Sequence, residues 1–157
     1  MSSGTLSQEL RGAPVAKAIT EKLAAQVKEL RAQGVTPKLV IVRIGQKSDD
    51  LTYERAAYTR AEKVGFEVET IELPEDATQE QVNATFDQVS ADALVHGCLP
   101  MRPFPAGIDE HEALQHLAPE KDVDCATDSM LLASHCGIPG ALGPCTAEAV
   151  LALLDFY

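Results

Sequence analysis

The run LVIVRIG, from Leu39 to Gly45, sets the tightest limit on how this chain can fold. It is apolar and β-branched, too short for a helix and too continuous for a half-exposed strand, so it reads as a strand buried on both faces, as in a parallel sheet. Parallel strands need helical crossovers, and the flanking sequence supplies them. Before the run, Val15, Ile19, Leu23, Val27 and Leu30 recur at helical spacing and Gly34 stands where a helix stop belongs. After it, a helix is expected from Asp49 to Gly65, with Ser48 or Asp49 as its cap. FEVETIEL, Phe66 to Leu73, alternates like a strand with one wetter face, and Pro74 ends it.

Thr78 and Gln81 form a capping-box pattern ahead of Val82, Phe86 and Val89 at helical spacing. ALVHGCL, Ala93 to Leu99, reads as a third buried strand, and the proline-rich stretch Pro100 to Pro105 must leave the sheet. A helix is expected from Ile108 to Leu117, then the loop PEKDVDCATD, a short helical piece from Met130 to His135, the turn GIPGALGP and a last helix from Thr146. This alternation predicts an α/β fold of three layers, a mainly parallel sheet flanked by helices. Ligands of open α/β sheets bind at the carboxyl ends of the strands, which points to Gly45 and to Pro100 to Pro105.

Charge and cysteine usage narrow the classes of function. Thirteen Lys and Arg against 24 Asp and Glu give a net charge of −11, which repels phosphate backbones and anionic membrane surfaces. The amino terminus has no basic region followed by an apolar run, and no stretch of about 18 apolar residues occurs. A cytoplasmic location is the expectation, with no nucleic-acid or membrane partner. Cys98, Cys125, Cys136 and Cys145 are widely spaced, so they read as free thiols and give no metal-ligand spacing, with or without His96 and His135. His96 is expected to be a satisfied core histidine, and His111 and His116 do not share a helix face. There is no GxGxxG, GxxxxGK[ST] or GxSxG.

Several segments in order carry a resemblance. They are the strand ending at Gly45 followed by Tyr53 and Gly65; VHGCL followed by Pro103 and Pro105; Ile108-Asp109-Glu110; PEKDVD from Pro119 to Asp124; and Pro144-Cys145-Thr146. From about Leu10 to Tyr157 the chain resembles the N-terminal catalytic domain of the bifunctional methylenetetrahydrofolate dehydrogenase/methenyltetrahydrofolate cyclohydrolase family. The resemblance implies folate-dependent one-carbon metabolism, with Tyr53 stacking on the ligand, Asp124 hydrogen-bonding the pterin, and Leu99 and Pro103 binding substrate. An aromatic face and a carboxylate suit those tasks. Read without the family, Tyr53 packs on a helix surface and Asp124 caps a turn.

The departures from the family pattern concern proton transfer. Where the family has its catalytic lysine, one turn after the tyrosine, the chain has Ala57; the glutamine that holds that lysine corresponds to Met101, and its leucine neighbour to Arg102. Neither alanine nor methionine can move a proton, and such a group contributes on the order of 10²–10⁴-fold in rate. Asp50, Cys125 and Ala147 stand where the family has serine, glycine and proline. Arg43, Arg102 and Tyr58 match nothing in the family. Arg43 is expected either to pair with Asp49, Asp50 or Asp124, or with Arg102 to form an altered pocket for a small anionic ligand.

Residues 1–145 are expected to form the catalytic-type domain and 146–157 the start of the helix linking to a dinucleotide-binding Rossmann domain, which the sequence lacks. The chain is then either a piece of a longer protein or a shortened paralogue. It would bind no cofactor or metal itself; NAD(P) would need the following domain, and a homodimer would belong to the full-length form. Two classes of function follow, a folate enzyme domain and a non-catalytic binding module or pseudoenzyme.

Overall fold

A computed structural model describes residues 9–157. The opening eight residues, which enter the readings of the amino terminus and of a domain from residue 1, lie outside the described residues. Helix α1 (Gly12–Ala32) leads to strand β1 (Lys38–Ile44), α2 (Ser48–Val64), β2 (Glu67–Leu73), α3 (Gln79–Ala91) and β3 (Gly97–Pro100). Then come α4 (Glu110–Leu114), a 3-10 turn (Pro119–Lys121), α5 (Asp128–His135) and α6 (Cys145–Phe156). The sheet order is β2-β1-β3 with both pairs parallel, so the LVIVRIG run is the central strand.

Period-two alternation sends Val40, Val42 and Ile44 to one face, where they join Val82, Phe86 and Val89 of α3 with Ala113 and Leu114 of α4 in one apolar core. Phe86 and Phe104 stack there at 6.1 Å. Arg43 and Ile41 point to the other face, against which α1 and α2 pack. The result is the three-layer α/β arrangement that the alternation predicts.

Local signals decide the ends of the elements. Thr78 and Gln81 form the expected capping box of α3, and Gly65 ends α2 in the left-handed conformation at φ 96°, donating its N–H to the Ala61 carbonyl. The cap of α2 differs from expectation. Its N-cap is Lys47 and makes no side-chain capping bond; Ser48 and Asp49 are already helical. Lys47 instead sends its ammonium 2.8 Å to the Pro103 carbonyl.

The third strand is shorter than expected, Gly97–Pro100 rather than Ala93 to Leu99. Ala93 lies before it and Leu94 is 71% exposed, because Asp92 turns the chain by accepting the Leu94 N–H at 2.8 Å. Pro100 closes the ladder opposite Val42 on an edge strand, where proline is tolerated. His96 is exposed rather than in the core, at the amino end of the sheet, with Nδ1 accepting the Lys38 N–H. Helix α4 occupies only the middle of the expected Ile108 to Leu117, α5 starts two residues before Met130, and α6 starts at Cys145.

Candidate functional site

Three segments meet at the carboxyl ends of β1 and β3. The first turns of α2 bring Asp49, Asp50 and Tyr53; the end of β3 and the residues after it bring Leu99, Pro100, Met101 and Arg102; the loop after the 3-10 turn brings Asp124. Together they line a cleft of about 280 Å³. Asp49 and Asp50 precede Tyr53 by four and three residues, which on a helix is one face. Tyr53 is 62% exposed, a large aromatic ring left open to the cleft.

The walls are held by charges that are themselves fully paired. Asp122 is 1% exposed, and its two oxygens accept the N–H groups of Asp124 at 3.2 Å, Ala126 at 3.0 Å and Thr127 at 2.7 Å. Its neighbour Lys121 is also buried and donates to the carbonyls of Val89, Ser90 and Asp92 at the carboxyl end of α3, where a cation is favoured. The KDVD motif therefore uses its first two charges to fix the loop and presents the last, Asp124, to the cleft. Gly97 makes the approach between this loop and β3 achievable, since a Cβ there would sit 2.6 Å from Val123 Cγ1.

Beneath α2 lies a second set of charges. Arg43 is 4% exposed and donates through Nε to Glu54 at 2.9 Å, through Nη2 to Glu72 at 3.0 Å, and through Nη1 to the Gly45 carbonyl. Burial alone would lower the Arg43 pKa; hydrogen bonds to Glu72 and Glu54 outweigh it and raise it. Thr70 donates to the other Glu54 oxygen at 3.0 Å and lies 3.2 Å from the Tyr58 hydroxyl, and Gln46 donates to Glu72 at 2.8 Å. Gln46 first and then Arg43 hold the Glu72 carboxyl below its usual range.

The sequence-derived residues thus fall into two groups. Tyr53, Asp124, Leu99, Met101 and Arg102 share the cleft. Pro103 does not line it; it follows a cis peptide from Arg102 on the outer loop and offers its carbonyl to Lys47. Ala57 is half-buried, one turn beyond Tyr53, and is not part of the lining. Arg43 is away from the cleft, and its partners are Glu54 and Glu72 rather than Asp49, Asp50 or Asp124. The sequence reading offers Asp49 and Asp50 as a helix start and as partners of Arg43, not as cleft residues, although their spacing from Tyr53 is the signal that they share its face.

Cys98 and Cys145 are held as neutral thiols. Burial raises the Cys98 thiol to about 12, and burial with a hydrogen bond to Asp124 raises Cys145 to about 11. Cys125 is buried with φ 55°, a conformation that suits the glycine the family has at this position.

The family model for the tetrahydrofolate dehydrogenase/cyclohydrolase catalytic domain matches residues 10–124, which include every residue lining the cleft. The chain belongs to this family. Among similar proteins, the bifunctional protein FolD of Alkaliphilus metalliredigens is 40% identical over 152 residues, 97% of this chain and 54% of that protein. The FolD of Clostridioides difficile is 40% identical over 153 residues, 98% and 53%. The crystal structure of the Trypanosoma brucei dehydrogenase-cyclohydrolase complexed with NADP and an inhibitor superposes with a TM-score of 0.86 at 32% identity, over 95% of this chain and 51% of that one. The Campylobacter jejuni FolD structure gives 0.91 at 26% identity, over 94% and 52%. The chain therefore spans about half the length of the curated relatives it matches. Among the described residues no helix is long and apolar enough to cross a membrane.

Proposed function

We propose that this chain is the folate-binding domain of a methylenetetrahydrofolate dehydrogenase/cyclohydrolase-like protein of one-carbon metabolism, acting in the cytoplasm on a small-molecule folate. The observation that carries the reading is that Tyr53, Leu99 and Asp124, from three separate segments, face one cleft at the carboxyl end of the sheet. The open Tyr53 ring offers a stacking face for a flat heterocycle, and the Asp124 carboxylate can accept two donors from an aminopyrimidine edge.

The proton-transfer part of the family's chemistry has no carrier in this pocket. A long side chain at position 57 would lean back along α2 toward the turn of Tyr53, where a lysine could reach the ligand; Ala57 reaches nothing, and Met101 in the opposite wall offers no polar group to hold such a lysine. The domain binds and orients its ligand, and cyclohydrolase turnover by the family's route is not expected of it. That absence favours, as a second reading, a pseudoenzyme or binding module.

A dinucleotide does not fit the described residues. The helix entrance after β1, where a pyrophosphate could be cradled, carries Asp49 and Asp50 in its first turn, and no glycine-rich loop precedes it. NAD(P) and the dehydrogenase step, like a homodimer, belong in this reading to a longer protein.

Calorimetry with tetrahydrofolate tests the proposal. Binding at ordinary micromolar affinity, together with the appearance of methenyltetrahydrofolate hydrolysis in the double variant Ala57→Lys, Met101→Gln, is the expected result. Failure of both forms to bind any reduced folate would remove the folate reading and leave a binding module for another small molecule.

A further inference from the structure

The last helix carries more apolar surface than the fold covers. In α6 the polar side chains are Thr146, Glu148 and Asp155 and every other position is apolar, yet none of its residues is buried. A helix that is apolar nearly all round is normally buried all round. One flank of α6 lies along α1. There Thr146, Ala149 and Leu153, spaced one turn apart, join Gly12, Val15 and Ala16 in lining an apolar groove of about 390 Å³. The Tyr157 hydroxyl donates to the Arg11 carbonyl at 3.2 Å, so the end of α6 is tied to the start of α1 and the two helices run in opposite directions.

The next flank of α6 is open. Ala147, Val150 and Leu154, with Leu151 beside them, form a stripe at three- and four-residue spacing, and Val150 shares the groove with Ile19 of α1. Ile19, Val150, Leu151 and Leu154 are between 44% and 56% exposed, and Leu23, one turn beyond Ile19, extends the patch. These five residues leave open roughly 450 Å²; a standard interface buries about 800 Å² per partner, somewhat over half of it apolar, so the patch matches the apolar share of one. Charge selects what fits against it. Helix α6 carries Glu148 and Asp155 and no basic residue, so a second α6 laid on it would set like charges together. Helix α1 offers Lys22, three residues from Ile19, and among the described residues Lys22, Glu148 and Asp155 form no salt bridge.

We propose that the α1–α6 pair is the interface of a homodimer, in which the open flank of α6 packs on α1 of a second copy and the two pairs close a four-helix bundle about a two-fold axis. Each α6 then lies between two α1 helices, both antiparallel to it, and Glu148 stands beside the partner subunit's Lys22. This pairing uses the described domain alone. It is separate from any made through further domains of a longer protein, and it holds whatever the cleft binds.

Sedimentation equilibrium of the intact chain is the test. A monomer–dimer equilibrium is expected, with a Kd in the low micromolar range. Leu154→Glu and Val150→Glu, at side chains open to solvent in the monomer, should each weaken dimerisation about tenfold or more with helical circular dichroism unchanged. Lys22→Glu should weaken it about threefold, and adding Glu148→Lys should restore it. Leu132→Glu, on the exposed side of α5, should leave the Kd within about twofold. A chain that stays monomeric at about 100 μM would overturn the proposal and leave this face to a segment of a longer protein. Aggregation without a defined stoichiometry would overturn it too, as would equal losses in Leu132→Glu and Leu154→Glu. A Lys22→Glu chain that dimerises as tightly as wild type would overturn the packing of α6 on the second α1.

Discussion

Helix α2 has two charged sides, and they are built on opposite principles. Underneath, Arg43 gives donors to Glu54, Glu72 and the Gly45 carbonyl, Thr70 and Gln46 take up the remaining carboxylate oxygens, and the Tyr58 hydroxyl meets that of Thr70. On the cleft side, Asp49 and Asp50 form no ion pair among the described residues, and Tyr53 stands uncovered. A buried charge must be paired because desolvation is costly, whereas a charge at the mouth of a cleft can stay unpaired because water solvates it until a ligand arrives. The underside therefore fixes where the helix sits, and the cleft side determines what it meets.

The largest expected effect that would break this division is on stability. Arg43→Met leaves Glu54 with only the Thr70 hydroxyl as donor and strips its charge partner, and should destabilise the fold by about 3 kcal/mol, measured by urea unfolding. A loss below about 1 kcal/mol would mean that the network is solvated and does not anchor α2. Next, Tyr53→Ala should lower reduced-folate affinity about tenfold, from the loss of a stacking face, with unfolding midpoints unchanged because the ring is 62% exposed. A stability loss equal to that of Arg43→Met would show that Tyr53 belongs to the scaffold.

Smaller effects sharpen the account of the underside. The Glu72 pKa is lowered on folding, so the stabilisation it gives is present above its unfolded value of 4.5 and is lost as pH falls through the folded value. Thermal unfolding followed downward from pH 6 should show this acid loss, and Glu72→Gln should flatten it. The smallest effect is expected for Tyr58→Phe, which removes a hydroxyl contact to Thr70 at 3.2 Å on a side chain 37% exposed and should cost no more than about 0.5 kcal/mol.

The two sides of α2 also differ in how far they could be read from sequence. The order of strands and helices, the capping box at Thr78 and the stop at Gly65 rest on spacing along the chain, and all are legible there. The cleft was legible through the family pattern at Tyr53, Leu99 and Asp124. Arg43 was recognisable as an odd residue, but its partners were not, because Glu72 becomes its neighbour only through the parallel register Arg43↔Glu72 and Glu54 only through the docking of α2 on that face. Ala93 to Leu99 misled for a related reason. An apolar run shows that residues are able to enter a sheet, while the turn at Asp92 and the bridge from Cys98 to Asp122 decide which of them do. Pro103 misled because a family position on a loop fixes neighbourhood, whereas the cleft lining depends on how the loop closes over Glu110 and Lys47.

The arrangement around Asp122 has a consequence for motion. A loop without regular secondary structure would ordinarily exchange its amide hydrogens quickly, as mobile connections do. Here one buried carboxylate occupies the N–H groups of Asp124, Ala126 and Thr127 together, so these amides are freed only when the whole loop opens. Their exchange should be as slow as that of strand amides and should quicken together in Asp122→Asn. The wall that presents Asp124 would then already be in place before a ligand enters, leaving little ordering for binding to accomplish there.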